Sequence, residues 1–216
     1  MLNINTINIA PQETISALDI AMTKALGEAL SWTYDEYSVW YPDSGLCFRF
    51  NTNSNNIALG VGGGGAYEVP FANRQIVTFD STKAYCVDYL QSDNFVAVGI
   101  RKADDVICIP TIIIKNELNE LRAIMPDCSS ARLFYFIQNG ISTTEIKTID
   151  LPTNNSNCAT SILKLPDIYS GTMFKDVYIE YSCPYISTDK MYYIGGKHYR
   201  HIGFGGRYGG LAVPLE

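Results

Sequence analysis

Histidine is scarce in this chain of 216 residues, which contains only His198 and His201. Both lie in one stretch with strand character, three residues apart, so the alternation of a strand sends them to opposite faces. They are therefore poorly placed to share a metal ion. No G-x-S-x-G motif or flanked nucleophilic cysteine accompanies them, so the sequence shows no serine or cysteine hydrolase centre. We expect a protein that is not an enzyme and holds no cofactor.

Charged residues are also few, at 18% of the chain, and acidic residues outnumber basic ones by 22 to 16. The resulting net charge of −6 disfavours a nucleic-acid partner, since phosphate binding needs clustered Lys and Arg. Hydrophobic residues make up 47% of the chain, which leaves little charge to solvate an isolated surface. This balance favours a protein whose surface is partly covered by other proteins.

Long apolar runs, export signals and paired cysteines are absent from the sequence. No stretch approaches the length of a membrane span, and the N-terminus lacks a basic region followed by an apolar block. The sequence therefore predicts neither a membrane span nor a secretory signal. Six cysteines lie far apart without a C-x-x-C pair, which predicts reduced, buried thiols. They are Cys47, Cys86, Cys108, Cys128, Cys158 and Cys183.

Three segments are predicted along the chain. Residues 1–10 alternate apolar and polar side chains, as an extended arm does. Residues 11–31 predict an amphipathic helix, with Pro11 as its first residue and apolar side chains at spacings of three and four from Ile15. This helix either packs on the domain's own sheet or serves as a docking or oligomerisation helix. Residues 32–216 predict a single β-rich domain.

The β-rich segment favours a mainly β fold, an antiparallel β-sandwich or barrel with the one N-terminal helix. Short aromatic and β-branched runs recur at close spacing, without the crossover helices that parallel strands need. Asn139-Gly140 and Gly195-Gly196 predict hairpin turns. Residues 51–56 predict a polar loop, and residues 116–121 predict a loop or one helical turn.

The glycine run Gly62, Gly63, Gly64 and Gly65 has the composition of a phosphate-binding loop but not its motif. A P-loop continues with Lys and Ser or Thr into a helix, whereas Ala-Tyr-Glu-Val-Pro follows here. We therefore interpret the run as a flexible contact loop that becomes ordered against a neighbouring subunit.

Aromatic residues, at 12% of the chain, cluster near both ends of the β-rich segment. Tyrosine and tryptophan combine a large apolar body with a polar tip, so they suit a core, a protein interface or a sugar-stacking surface. All three interpretations stay open for these side chains. The candidates for an interface or for glycan stacking are Tyr37, Trp40, Tyr41, Tyr192, Tyr199 and Tyr208.

The last 45 or so residues carry a family resemblance. Phe-Lys-Asp-Val-Tyr at 174–178, Cys-Pro at 183–184 and Tyr-Ile-Gly-Gly-Lys-His-Tyr at 193–199, followed by an apolar strand, resemble the closing segment of small virion structural proteins. These proteins belong to tailed phages, prophages and phage-tail-like particles of Gram-positive bacteria. The glycine pairs within 205–210 depart from the shorter ending of that family. The resemblance implies a subunit without enzymatic activity.

Taken together, these features predict a structural subunit of a tail, baseplate or head-tail particle, made in the bacterial cytoplasm. Its partners would be copies of itself and other virion proteins, bound through repeated interfaces with exchange of arms or strands. An alternative is a carbohydrate-binding or host-recognition module that stacks a host surface glycan on its aromatic side chains. A third hypothesis is a hydrolase whose centre has no recognisable motif.

Overall fold

The computed structural model describes residues 3–53, 55–63, 75–104, 111–126, 133–139, 144–150, 161–181, 191–203 and 210–215. Over these residues the chain forms one helix and seventeen strands. In chain order they are β1 (Asn3–Ile9), α1 (Ile15–Leu30), β2 (Thr33–Tyr34), β3 (Ser38–Trp40), β4 (Leu46–Asn53), β5 (Asn56–Gly63), β6 (Gln75–Thr78), β7 (Tyr85–Gln91), β8 (Phe95–Lys102), β9 (Thr111–Lys115), β10 (Leu121–Pro126), β11 (Leu133–Asn139), β12 (Thr144–Asp150), β13 (Ser161–Pro166), β14 (Met173–Tyr181), β15 (Met191–Ile194), β16 (Lys197–Gly203) and β17 (Gly210–Pro214).

The strands form three sheets in which every pairing is antiparallel. The N-terminal sheet has the order β2-β3-β4-β5-β6, the central sheet β1-β7-β8-β9-β10-β11-β12, and the C-terminal sheet β13-β14-β17-β16-β15. Within the described residues none of the three sheets closes into a barrel. The prediction of a mainly β, sandwich-like antiparallel fold with one helix is confirmed.

The central sheet carries apolar side chains on both of its faces, because consecutive residues are apolar over Phe95–Val98 in β8 and Ile112–Ile114 in β9. One face packs against α1 and the N-terminal sheet; its buried residues include Val87, Val96, Val98, Ile100, Ile113 and Ala123. The opposite face packs against the C-terminal sheet through Phe95, Ala97, Ile112, Ile114 and Ile124. The central sheet therefore contacts a different layer on each face.

Helix α1 begins at Ile15, where the side chain of Thr14 caps it by accepting a hydrogen bond from the Ala17 backbone N–H at 3.1 Å. The prediction that Pro11 opens the helix is therefore wrong. Leu18, Met22, Leu26 and Leu30 are buried in the cluster that includes Phe48 and Phe50 of β4, so the helix packs on the chain's own strands. No helix in the described ranges is long and apolar enough to cross a membrane.

The N-terminal arm is a strand of the central sheet. β1 pairs with β7 over seven residues, from Asn3 opposite Gln91 to Ile9 opposite Tyr85. Residues 3–9 thus extend their own sheet beyond β7, and arm exchange with a neighbouring subunit is not needed to order them. The predicted loop at 51–56 is also shorter than expected, since Asn53 of β4 pairs directly with Asn56 of β5.

The two described cysteines agree with the prediction of reduced, buried thiols. Cys47 and Cys86 are both free and buried. Burial raises the pKa of the Cys47 thiol to about 11, so this side chain stays protonated and behaves as a small hydrophobe. Cys108, Cys128, Cys158 and Cys183 lie outside the described residues.

Asp19 is a buried carboxylic acid on the packed face of α1, with 1% of its surface exposed. Among the described residues neither of its carboxyl oxygens has a hydrogen-bond partner, and the Thr23 hydroxyl one turn further along the helix also lacks one. Burial raises the pKa of Asp19 to about 7, and the neighbouring Thr52 hydroxyl, short of full hydrogen-bond geometry, offsets this only in part. Near neutral pH the fold therefore favours the protonated acid.

We predict that Asp19→Asn makes the protein more stable at pH 8 than the wild type. The folded-state pKa lies above the unfolded value, so wild-type stability should fall as pH rises from about 4 to about 7 and then level off. The amide cannot ionise, so the variant should lose this decline, with a difference of about 4 kcal/mol at pH 8. Urea unfolding at a series of pH values measures it.

Glu28→Gln is the matched control, because Glu28 is an acid of the same helix with 59% of its side chain exposed. It should leave the pH dependence of stability unchanged. Parallel pH profiles for the wild type and Asp19→Asn would show that Asp19 ionises freely in the folded protein.

Candidate interaction surface

The closing hairpin is built by a two-residue turn. Gly195 and Gly196 connect β15 and β16 with φ values of 57° and 86°, the left-handed region that a primed turn requires at both positions. The turn fixes the register, with Ile194 opposite Lys197 and Met191 opposite Arg200. The hairpin predicted from Gly195-Gly196 is confirmed.

β15 forms an edge of the C-terminal sheet. In the part of the chain that the structure describes, its one neighbouring strand is β16. Two of its four side chains are exposed, Met191 at 51% and Tyr193 at 69%. An edge strand presents backbone N–H and C=O groups that another strand can pair with. The combination of a strand edge and exposed apolar side chains makes β15 the candidate interaction surface.

The two histidines lie in one strand, β16, as predicted. His198 is exposed, and its ring lies 5.1 Å from the ring of its cross-strand neighbour Tyr193, tilted by 53°. His201 follows three residues later in the same strand. Among the described residues, no group of three His, Cys, Asp or Glu side chains is placed to hold a metal ion.

The tyrosines predicted at this end of the chain do not share one environment. Tyr199 is 2% exposed and packs edge-to-face on Tyr178 at 5.2 Å, so it is a core residue and the prediction of a contact or stacking role for it is wrong. Tyr192 is half-buried. Tyr208 lies outside the described residues. The exposed aromatic side chain of β15 is instead Tyr193.

The N-terminal aromatic candidates lie on two sides of the N-terminal sheet. Tyr41 packs edge-to-face on Trp32 at 4.9 Å, and Trp32 stacks on Phe48 in the cluster beneath α1. Burial raises the pKa of Tyr41, in keeping with this position. Tyr41 therefore contributes to the core rather than to an open platform.

Tyr37 lies on the same side as Tyr41, whereas Trp40 does not. Tyr37 and Tyr41 share the alternation of Val39, which is buried in the cluster beneath α1. The hydrogen bond of Tyr37 with Glu36 raises its pKa. Trp40 pairs with Cys47, whose side chain alternates away from Phe48 and the helix. The structure thus does not bring Tyr37, Trp40 and Tyr41 together into one stacking surface.

The glycine run begins inside a strand. Gly62 and Gly63 belong to β5, where they pair with Cys47 and Leu46 of β4. The prediction that the flexible contact loop includes these two residues is therefore wrong. Gly64 and Gly65 lie outside the described residues.

A buried polar cluster holds the C-terminal sheet on the central sheet. Asn116, next to the end of β9, donates hydrogen bonds from its side-chain amide to Asp167 at 2.8 Å and Glu120 at 2.9 Å, and the same nitrogen lies 3.3 Å from the Ser170 hydroxyl. Asp167 and Ser170 belong to the turn between β13 and β14. Asn116 and Asp167 have no exposed surface, so the hydrogen bond between them is shielded from water.

Arg122 of β10 completes the cluster. Its guanidinium lies 3.1 Å from an Asp167 carboxylate oxygen and 2.7 Å from Glu120, and it lies over the Tyr169 ring at 5.4 Å from the centroid. Burial alone would raise the pKa of Asp167. The hydrogen bonds from Asn116, the Tyr169 N–H and Ser170, with the positive charge of Arg122, outweigh it and hold this pKa below its usual value.

Few features of the sequence predict this cluster. Residues 116–121 predict only a loop or a helical turn, and β10 is not predicted because Arg122 interrupts its apolar run. Asp167 stands in a segment that predicts a loop. The one signal is the charged residue Arg122 between the apolar residues Leu121 and Ala123. Its partner Asp167 is distant in sequence and is brought to it only by the fold.

The chain matches no protein-family model, no curated protein and no solved structure. Its fold and its candidate surface are therefore argued from its own residues.

We predict that Asp167→Asn lowers the free energy of unfolding by about 3 kcal/mol, because it leaves the buried Arg122 without its buried counter-charge. The wild-type contribution should fade in acid, since the depressed pKa of Asp167 means that protonation disfavours the folded state. Urea unfolding of both proteins at pH 7 and below pH 4 tests this.

Glu117→Gln is the matched control, since Glu117 in the β9–β10 turn also contacts the C-terminal sheet, at Lys164 of β13, but through an exposed ion pair. Its stability should stay close to that of the wild type because exposed pairs contribute little. Equal stabilities of Asp167→Asn and Glu117→Gln would contradict a dominant role for the buried cluster.

Proposed function

We propose that this protein is a structural subunit of a phage or phage-tail-like particle, made in the bacterial cytoplasm and built into the particle through repeated protein–protein interfaces. The observation that carries the proposal is the edge strand β15 with its exposed Met191 and Tyr193. Its partners are copies of itself and other virion proteins. No catalytic step and no cofactor are assigned.

The physical support for this proposal is that an unprotected edge strand tends to pair with another chain. Proteins that work as monomers protect edge strands with charge, proline or a bulge, because an open edge invites pairing with another chain. β15 contains no charged residue and no proline, and its exposed side chains are apolar or aromatic. Aromatic residues and methionine are enriched in protein interfaces. β15 thus has the properties of a contact strand.

The rest of the fold holds β15 in a fixed position. We take the layers as an antiparallel β-sandwich in which the central sheet forms the middle layer. β16 and β17 link β15 to β14, and the polar cluster around Asp167 fixes the β13–β14 turn to the β9–β10 turn. An interface strand held in this way is presented with the same geometry by every copy, as a repeated assembly requires.

The test is the mass of the purified protein by size-exclusion chromatography with light scattering, together with negative-stain imaging. The wild type should form oligomers or regular particles. The double variant Met191→Ser with Tyr193→Ser should shift the distribution toward monomer by about tenfold in dissociation constant, since both exposed anchors are lost. A wild type that is strictly monomeric and absent from particles would rule the proposal out.

Leu118→Ser is the matched control, because Leu118 is similarly exposed, at 60%, but lies in the turn between β9 and β10. It should leave assembly unchanged. Dissociation by Leu118→Ser and not by the β15 variant would keep the assembly function and move the interface to that turn.

A further inference from the structure

Helix α1 buries a carboxyl group that the described residues do not neutralise. Asp19 lies on the packed side of the helix with Leu18 and Met22. Within the described ranges, both of its carboxyl oxygens and the Thr23 hydroxyl one turn later are buried without a hydrogen-bond partner. A buried ion without a partner costs far more than a buried neutral acid. Packing of α1 is therefore most favourable while Asp19 keeps its proton.

The strands around α1 bring no positive charge to Asp19 in the described part of the chain. The helix packs on β1 to β5, and of these β1, β3 and β5 contain no titratable residue. In β4, Cys47 and Arg49 alternate away from the residues buried beneath the helix. In the central sheet, Arg101 pairs with Asp88 at 2.6 Å on the opposite face. The titratable groups that remain around the helix are phenols and acids, namely Tyr34, Asp35, Glu36, Tyr37, Tyr85 and Tyr89.

The charges of the helical segment itself are directed to solvent. Lys24 has 63% of its side chain exposed and lies 3.9 Å from Glu28, one turn further along. Glu13 precedes the helix and is exposed. An ionised Asp19 can therefore be stabilised only by water. Its ionisation favours any state in which α1 has left the strands.

The segment that contains α1 is attached so that it can leave without breaking a long strand pairing. It ends in β2, the terminal strand of the N-terminal sheet, which pairs with β3 over only two residues. Tyr34 of β2 packs on the helix at Gly27, where an added Cβ would lie 2.3 Å from the Tyr34 ring. On the other side, β1 keeps its seven-residue pairing with β7. Helix α1 and β2 thus form one unit, residues 15–34, that can open locally.

We propose that residues 15–34 form a pH-dependent flap, which is docked while Asp19 is protonated and is released from the strands beneath it when the proton is lost. Release uncovers the apolar side of the helix together with Phe48 and Phe50 of β4. Burial of Leu18 and Met22, among others, opposes release at every pH. The released state is therefore a minor population that grows as the pH rises.

Release of the flap is linked to proton loss. In the docked state burial raises the pKa of Asp19 to about 7, whereas in the released state the carboxyl group is in water and has its ordinary value of about 4. The equilibrium constant for release should rise about tenfold per pH unit between these two values and level off above the higher one. From pH 5 to pH 8 the total rise should be about a hundredfold.

The experiment is amide hydrogen exchange of the full-length protein, followed by NMR from pH 5 to pH 8. Each rate is divided by the intrinsic rate of an unfolded peptide at the same pH. Protection of the amides at 18–30 should fall about a hundredfold across this range. The amides of β8 and β9 exchange only when the sheets open, so at pH 8 they should stay at least about tenfold more protected. Low concentrations of urea should accelerate them more than the helix, since unfolding exposes more surface than release.

Two variants assign the effect to one carboxyl group. Asp19→Asn keeps the shape of the side chain and cannot ionise, so protection of the helix should no longer depend on pH. Glu28→Gln removes the exposed acid of the same helix and should retain the hundredfold fall seen in the wild type. The wild-type profile tests the proposal on its own if Asp19→Asn does not fold.

Three outcomes would overturn the proposal. One is a wild-type helix whose protection does not change with pH, and another is a fall that persists in Asp19→Asn. The third is equal protection and equal urea dependence for α1, β8 and β9, because the helix would then open only when the whole fold does.

Discussion

The fold depends on one constraint, which is that the central sheet is apolar on both faces and has to be covered on both. Ile112 and Ile113 are neighbours in β9, yet one packs toward the C-terminal sheet and the other toward the N-terminal sheet. A strand of this kind gains its stability only when two other layers are present, since each uncovered face would leave apolar surface in water. The two flanking layers are therefore conditions for the central sheet.

Apolar burial is not directional, so it does not by itself determine how one layer is placed on another. The cluster of Asn116, Arg122 and Asp167 adds that specificity, because its buried charges are satisfied only when the β9–β10 turn meets the β13–β14 turn. The backbone hydrogen bond from Glu117 to Met173 joins the same two turns. The position of the C-terminal sheet, and with it that of β15, thus depends on a few polar contacts.

Local signals predicted the local structure well. Gly195-Gly196 predicted its hairpin because a primed turn needs only a residue pair, and the spacing from Ile15 predicted α1. The start of the helix was mispredicted because Thr14 competes with Pro11 by capping a backbone N–H. The sequence does not predict β10, because Arg122 is charged and its burial depends on Asp167, an acid 45 residues away. Contacts between distant segments decide such cases, and no local pattern contains them.

β15 is the terminal strand of the C-terminal sheet. In the central sheet, β1 pairs with β7 and becomes the terminal strand on that side. Within the described residues no corresponding strand covers β15, and its exposed side chains are those of Met191 and Tyr193. Edge and exposed anchors therefore coincide on one short strand, and it is this coincidence, rather than either feature alone, that supports a contact role.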